Sequence, residues 1–316
     1  MKRHRSLLRK LLKRIVYSSP WQRFIGYTKK VALPGFDQMP VYDVADFFFT
    51  GIQKGAVKTR AQSLAFSFFL ALFPAIIFLF SLIPYIPVDN FQNQLLDLIK
   101  NLLPVNAYEA TRVTIEDIII HQRSGLLSIG FLFALYFTSN GFMALMKGFN
   151  SSYHISEKRS PSKKRMASVV LTFILSTLLI LAIVLIIFGE IAIKYLVAKQ
   201  ILRTKTQIWL LLIGKWTIVL VLFLMAISFL YYYAPSSKKR WRFVSPGSTL
   251  ATVLTILTSI LFAYFVNNFG QYNKLYGSIG TLVVIMLWIY FNSLILILGF
   301  ELNASIDIAK KQVKRE

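Results

Sequence analysis

A chain of 316 residues that is 56% hydrophobic and only 16% charged departs from soluble domains, in which about a quarter of residues are charged. Its formal charge of +23 would suit a nucleic-acid binder, but the basic residues cluster beside apolar runs, and no RNA-recognition, zinc-finger or free helix-turn-helix pattern accompanies them. The absence of cysteine excludes disulfides, thiolate catalysis and cysteine metal sites, and His4, His121 and His154 form no HxH or HExxH pattern.

The chain starts MKRHRSLLRKLLKRIVYSSP, whose leucines are too interrupted by charge to form the apolar core of a secretory signal. Leu7, Leu8, Leu11, Leu12, Ile15 and Val16 recur at helical spacing, with Arg3, Arg5, Arg9, Lys10, Lys13 and Arg14 between them. That pattern predicts a basic amphipathic helix lying on anionic inner-leaflet headgroups; a solvated tail is the alternative. A second amphipathic helix is expected in VYDVADFFFTGIQKG, set off by Pro34 and Pro40. Residues 1–60 thus read as a cytoplasmic basic segment, 61–304 as a transmembrane domain, and 305–316 as a basic cytoplasmic tail.

Six apolar runs are long enough to cross the hydrocarbon of a bilayer, which takes ~20 helical residues. They lie near 63–83, 126–146, 167–188, 208–233, 246–266 and 279–300. None alternates apolar and polar residues as a β-barrel wall does, so the predicted fold class is an all-α integral membrane protein, a bundle of six transmembrane helices. Between the first two runs, residues 85–124 predict a helical outer loop: a short helix through Phe91 and Leu102, ended by Pro104, and another over 106–120.

Lysine and arginine are unevenly divided among the connections. The N-terminal segment, the second-to-third and fourth-to-fifth connections and the C-terminal tail hold twenty-seven; the other three connections hold eight. The bias predicts that both termini are cytoplasmic.

Three stretches carry a family resemblance. TRAQSLAFSFFLALFPAIIFL (Thr59–Leu79) resembles the first-span motif of the YihY/BrkB membrane-protein family. YYYAPSSKKRWRFVSPGS (Tyr231–Ser248) resembles its fourth-to-fifth junction, and YNKLYGSIGTLVVIMLWIYFNSLILILGFELNA (Tyr272–Ala304) its last span and exit. The resemblance implies a multi-pass protein of the bacterial inner membrane with a role in transport or envelope maintenance. The family once carried a ribonuclease BN label. A metal-dependent nuclease needs clustered His, Asp or Glu ligands, whereas the thirteen acidic residues here are scattered, so no enzyme activity, metal or other cofactor is expected.

Polar groups inside a bilayer are costly and are candidates for function. Pro74 interrupts the first span and leaves the Leu70 carbonyl without its helical donor, giving either a gate or a static kink. Ser248, Thr252, Thr255 and Ser259 place small hydroxyls along one face of the fifth span, either lining a path or packing against a neighbour. Asn140 and Asn292 suit hydrogen bonds between helices or a polar path. Asn267, Tyr272 and Tyr276 crowd the turn between the last two spans, and Glu301 ends the sixth beside the basic connections. Glu190 and Lys215, at the outer ends of the third and fourth spans, are expected to pair; the alternative is that Lys215 snorkels to headgroups. With the six-span architecture and the family resemblance, these residues predict a transporter or flippase-like protein for a lipid, amphiphile or small solute. The alternatives are a non-transporting membrane scaffold, which a lateral or central cavity would discriminate against, and a membrane enzyme, for which no nucleophile–base constellation is present in the sequence.

Overall fold

The computed structural model describes residues 19–54, 56–85, 92–93, 96–97, 105–152, 157–201, 204–236, 243–268 and 271–313. Among them the only regular elements are helices. Two helices, α1 (Ser19–Thr28) and α2 (Val41–Lys54), precede α3 (Val57–Leu82), which ends in a single 3-10 turn. Then come α4 (Val105–Ile120), α5 (Ser124–Ser152), α6 (Pro161–Ala198), α7 (Lys205–Tyr233), α8 (Pro246–Asn268) and α9 (Gln271–Val313). Helices α3 and α5–α9 are the six with the length and hydropathy to cross a membrane. The basic N-terminal helix expected over the first 16 residues, and most of the short helix before Pro104, lie outside the described residues; the outer-loop helix expected over 106–120 is α4.

Local chemistry sets the helix starts. Ser160 caps α6, its hydroxyl accepting from the Lys163 N–H, and Pro161 takes the first helical position, where its missing donor costs nothing. Thr204 and Gln207 form a reciprocal capping box at the start of α7. Only residues 199–204 separate α6 from α7, a far shorter connection than the roughly twenty residues that hydropathy implies. The apolar runs mark the membrane-crossing portions, but both helices continue beyond them: α6 has 38 residues, about 57 Å at 1.5 Å per residue.

Consecutive spanning helices pack side by side, and α9 closes back on α3, so the six form a ring. One end of that ring is basic and densely packed. There Leu64, Phe142, Leu145, Met146, Phe149, Leu171, Ile227, Tyr231, Ala251, Ile297 and Phe300 form a single core. Phe149 and Phe300 stack with centroids 4.0 Å apart, and Tyr231 meets both edge-on. Helix α9 runs on past this core, and its Ile306 and Ala309 bury against Val44 of α2. The expected tail thus begins as a continuation of the last helix, held also by Lys310 to Asp37 at 2.6 Å. Large side chains such as Phe66, Leu79, Leu132, Leu179 and Ile260 face outward, as lipid-facing helices require.

The α8–α9 crossing depends on two glycines. A Cβ on Gly247 would overlap the Gly299 carbonyl oxygen, and one on Gly299 would lie 2.5 Å from the Tyr231 hydroxyl. Backbone therefore packs on backbone, the close approach that small residues permit between membrane helices. The Tyr231 hydroxyl donates to the Leu296 carbonyl at 2.8 Å. Ser245 caps α8 through the Ser248 N–H, and Asn303 donates to the Ser245 hydroxyl at 2.8 Å while accepting from the Gly247 N–H at 2.9 Å.

Candidate functional site

Two features stand out: a buried polar junction at the basic end, and an apolar cleft in the other half of the ring.

The junction is built on Arg60, one turn into α3. Its guanidinium donates to Glu301 of α9 at 3.1 Å, to the Gly148 carbonyl at 2.8 Å and to the Ser152 hydroxyl at 2.6 Å, both on α5. The Arg60 and Glu301 side chains are only 11% and 5% exposed. Gly51 of α2 leaves the room that the Glu301 carboxylate occupies. Arg60 Nε is buried without a partner. Arg60 thereby ties three helices together, and α2 packs against the pair. Glu301, which ends the sixth apolar run, is thus a member of this buried junction.

A second inner contact joins the ends of α5, α6 and α7. Arg159 grips Glu157 with two nitrogens and reaches the Ala234 carbonyl, while Asn150 bonds both Glu157 and the Ser236 N–H. The Arg159 guanidinium beside Glu157 holds its carboxyl below the usual carboxylate range.

Beyond the core the ring opens. A cleft of about 770 Å³ lies between α6, α7, α8 and α9. Helix α6 presents Leu175, Leu179, Ala182 and Ile186 to it, and α7 presents Trp216, Leu220, Phe223 and Ala226. Thr255 and Ser259 of α8 and Trp288 and Asn292 of α9 complete the opposite side. The periodicities of three and four residues place each set on one helix face. A second recess, of about 360 Å³, continues along α7 past Trp216 toward Trp209.

The structure distributes the predicted residues unequally. Thr255, Ser259 and Asn292 line the cleft, whereas Ser248 and Thr252 are buried at the α8–α9 crossing, Thr252 donating to the Ser248 carbonyl. Asn292 donates to Trp288 of its own helix at 2.8 Å. Asn140 does bond across helices, to Arg165 of α6, whose guanidinium also lies over the Tyr136 ring. Pro74 sits inside an unbroken α3. Asn267 is at the end of α8, and Tyr272 and Tyr276 are in the first turns of α9, so all three belong to helices. Among the described residues Glu190 forms its ion pair not with Lys215 but with Lys194, four residues on, at 3.0 Å, while the Lys215 charge acts on it from further off. The i,i+4 geometry brings the Lys194 ammonium within reach without help from a second helix.

In the sequence Arg60 is only one more basic residue before the first span. Its signal lay in the motifs themselves: an arginine opens the first-span stretch and a glutamate closes the last.

The model of the family described as virulence factor BrkB matches residues 48–316, which takes in every spanning helix, the polar junction and the cleft. The chain belongs to the BrkB family. Among its relatives is a ribonuclease-like protein of Bacillus subtilis, YfkH, 32% identical over 258 residues, 80% of this chain and 91% of that protein. A UPF0761 membrane protein of Xanthomonas campestris is 26% identical over 257 residues, and the match spans 58% of its length. One from Vibrio campbellii is 24% identical over 262 residues, 77% of its length. No solved structure matches the chain. These relatives agree with a multi-pass BrkB-family membrane protein.

Proposed function

We propose that this BrkB-family protein binds and translocates an amphiphile with a hydrocarbon chain in the bacterial inner membrane, with both termini cytoplasmic. The observation that carries this reading is the cleft: about 770 Å³, within the range of small-molecule sites, walled by apolar faces of four helices. Its polar lining is sparse, chiefly Thr255, Ser259 and Asn292, which suits a chain with one polar end better than a hydrated solute. The core and the Arg60–Glu301 junction fill the basic end of the ring, which supports a carrier closed at that end. Translocation requires the junction side to loosen.

A scaffold is the second reading. The long α6–α7 hairpin favours it, because Phe188, Tyr195, Trp209 and Leu210 are exposed near its tip and could meet a partner. The ribonuclease-like name belongs to YfkH, and the other relatives are named only as membrane proteins.

Filling the cleft tests the choice. Ala226→Trp, on the cleft face of α7, should leave the protein folded and strip lipid that survives purification of the native protein, as read by native mass spectrometry. Native protein that retains no lipid, or a filled variant that retains as much, would favour the scaffold.

A further inference from the structure

Lys215 is 8% exposed in a part of the molecule where other residues of α6 and α7 face outward. Burying a lysine without an anionic partner is expensive, so its surroundings bear on function. Its aliphatic stem lies against Gly189 of α6, where a Cβ would come within 2.9 Å of Lys215 Cδ. Gly189 and Lys215 stand about one turn beyond Ile186 and next to Trp216, the last cleft residues on α6 and α7. The ammonium lies 5.5 Å from the Trp216 ring centroid. No hydrogen bond or ion pair to Lys215 is found among the described residues, and its Nζ is not one of the sealed, unpartnered polar atoms, Arg60 Nε and Ser228 Oγ. Glu190, the nearest acid, feels the Lys215 charge but is bonded to Lys194. Lys194, Lys199 and Lys205 share this end of the hairpin with that single carboxylate.

We propose that Lys215 is the headgroup anchor of the cleft and that the occupant is an anionic phospholipid, its phosphate on the Lys215 ammonium and an acyl chain along Trp216, Leu220, Phe223 and Ala226. This rests on the cleft reading above and adds the charge of the ligand. The phosphate supplies the direct counter-charge that Glu190, bonded to Lys194, does not. Trp216 links the two parts, giving its ring face to the ammonium and its edge to the chain. Gly189 is the concession in α6 that lets the lysine stem turn inward rather than snorkel away.

The test uses full-length protein with Trp216 as its one tryptophan, the other four changed to phenylalanine, in vesicles whose acyl chains carry bromine, a contact quencher. Brominated phosphatidylglycerol should quench Trp216 several-fold more effectively than brominated phosphatidylcholine at equal content. Lys215→Met should abolish that preference while quenching by both lipids persists, and Lys215→Arg should restore it; circular dichroism and a single gel-filtration peak establish folding. Glycerol phosphate, a headgroup without chains, should not relieve the quenching. Equal quenching by the two lipids, a preference that survives Lys215→Met, or displacement by glycerol phosphate would each overturn the anchor and leave the cleft reading standing. No quenching by either lipid would overturn both.

Discussion

Arg60 and Glu301 are 241 residues apart in sequence and 3.1 Å apart in space, so the first and last spanning helices are joined by a buried ion pair at the basic end. The same guanidinium holds two groups on α5, and the carboxylate fills the gap opposite Gly51. Removing one partner leaves the other charged and buried. Arg60→Met and Glu301→Gln should each cost about 3–5 kcal/mol, and the double variant should cost less than the two losses added. Denaturant unfolding in detergent measures this; additive losses would show that the pair is not coupled.

The glycine crossing makes a sterically specific prediction. Gly299→Ala drives a methyl into the Tyr231 hydroxyl and the Gly247 carbonyl, and overpacking of that kind costs about 1–3 kcal/mol. Gly214→Ala is the control, since nothing lies within 4 Å of a Cβ there; as a helical glycine it should gain up to about 1 kcal/mol. Thermal melts should therefore move in opposite directions. A Gly299→Ala protein as stable as the native one would mean that the α8–α9 backbones are not in contact.

Glu157 gives a pH dependence with a defined sign. Its folded pKa is depressed, first of all by the hydrogen bond from Arg159. Its contribution to stability is therefore complete above the unfolded carboxylate value, about 4.3, and is lost as pH falls through the lower folded value. Glu157→Gln should flatten that part of the stability profile between pH 6 and the acid limb, and leave the neutral-to-alkaline part parallel to the native curve. Melting temperature against pH measures it, and an unchanged acid slope would contradict the assignment.

Orientation is tested separately from packing. The six spanning helices alternate in direction, so the start of α3 and the end of α9 meet at one end of the ring, the end where Arg159 also bonds the last carbonyl after α7. A reporter active only in the cytoplasm, fused after Glu316, should be active, and a reporter active only in the periplasm should be silent. The reverse result would invert the topology.

Much of the fold was legible because each spanning helix announces itself locally. Apolar length, proline and serine at helix starts and the lysine–arginine bias all act over a few residues. The ring was not legible. It depends on which helix faces meet, and in a membrane both lipid-facing and buried faces are apolar, so periodicity loses the contrast it has in soluble proteins. Thr252 and Thr255 illustrate the point: they are three residues apart on one stripe, yet one is buried in the α8–α9 crossing and the other lines the cleft. Glu190 misled for another reason. Hydropathy implied a long connection to Lys215, whereas the helices extend past their apolar runs and offer Lys194 on the same helix first.

Transbilayer movement of a headgroup-labelled fluorescent phospholipid in proteoliposomes tests most directly whether the cleft carries a lipid chain across the membrane. Native protein should expose inner-leaflet label to a membrane-impermeant quencher faster than protein-free vesicles do, and Ala226→Trp, folded and reconstituted at the same density, should return the rate to that of the empty vesicles. Native protein that leaves the rate of empty vesicles unchanged would contradict the account.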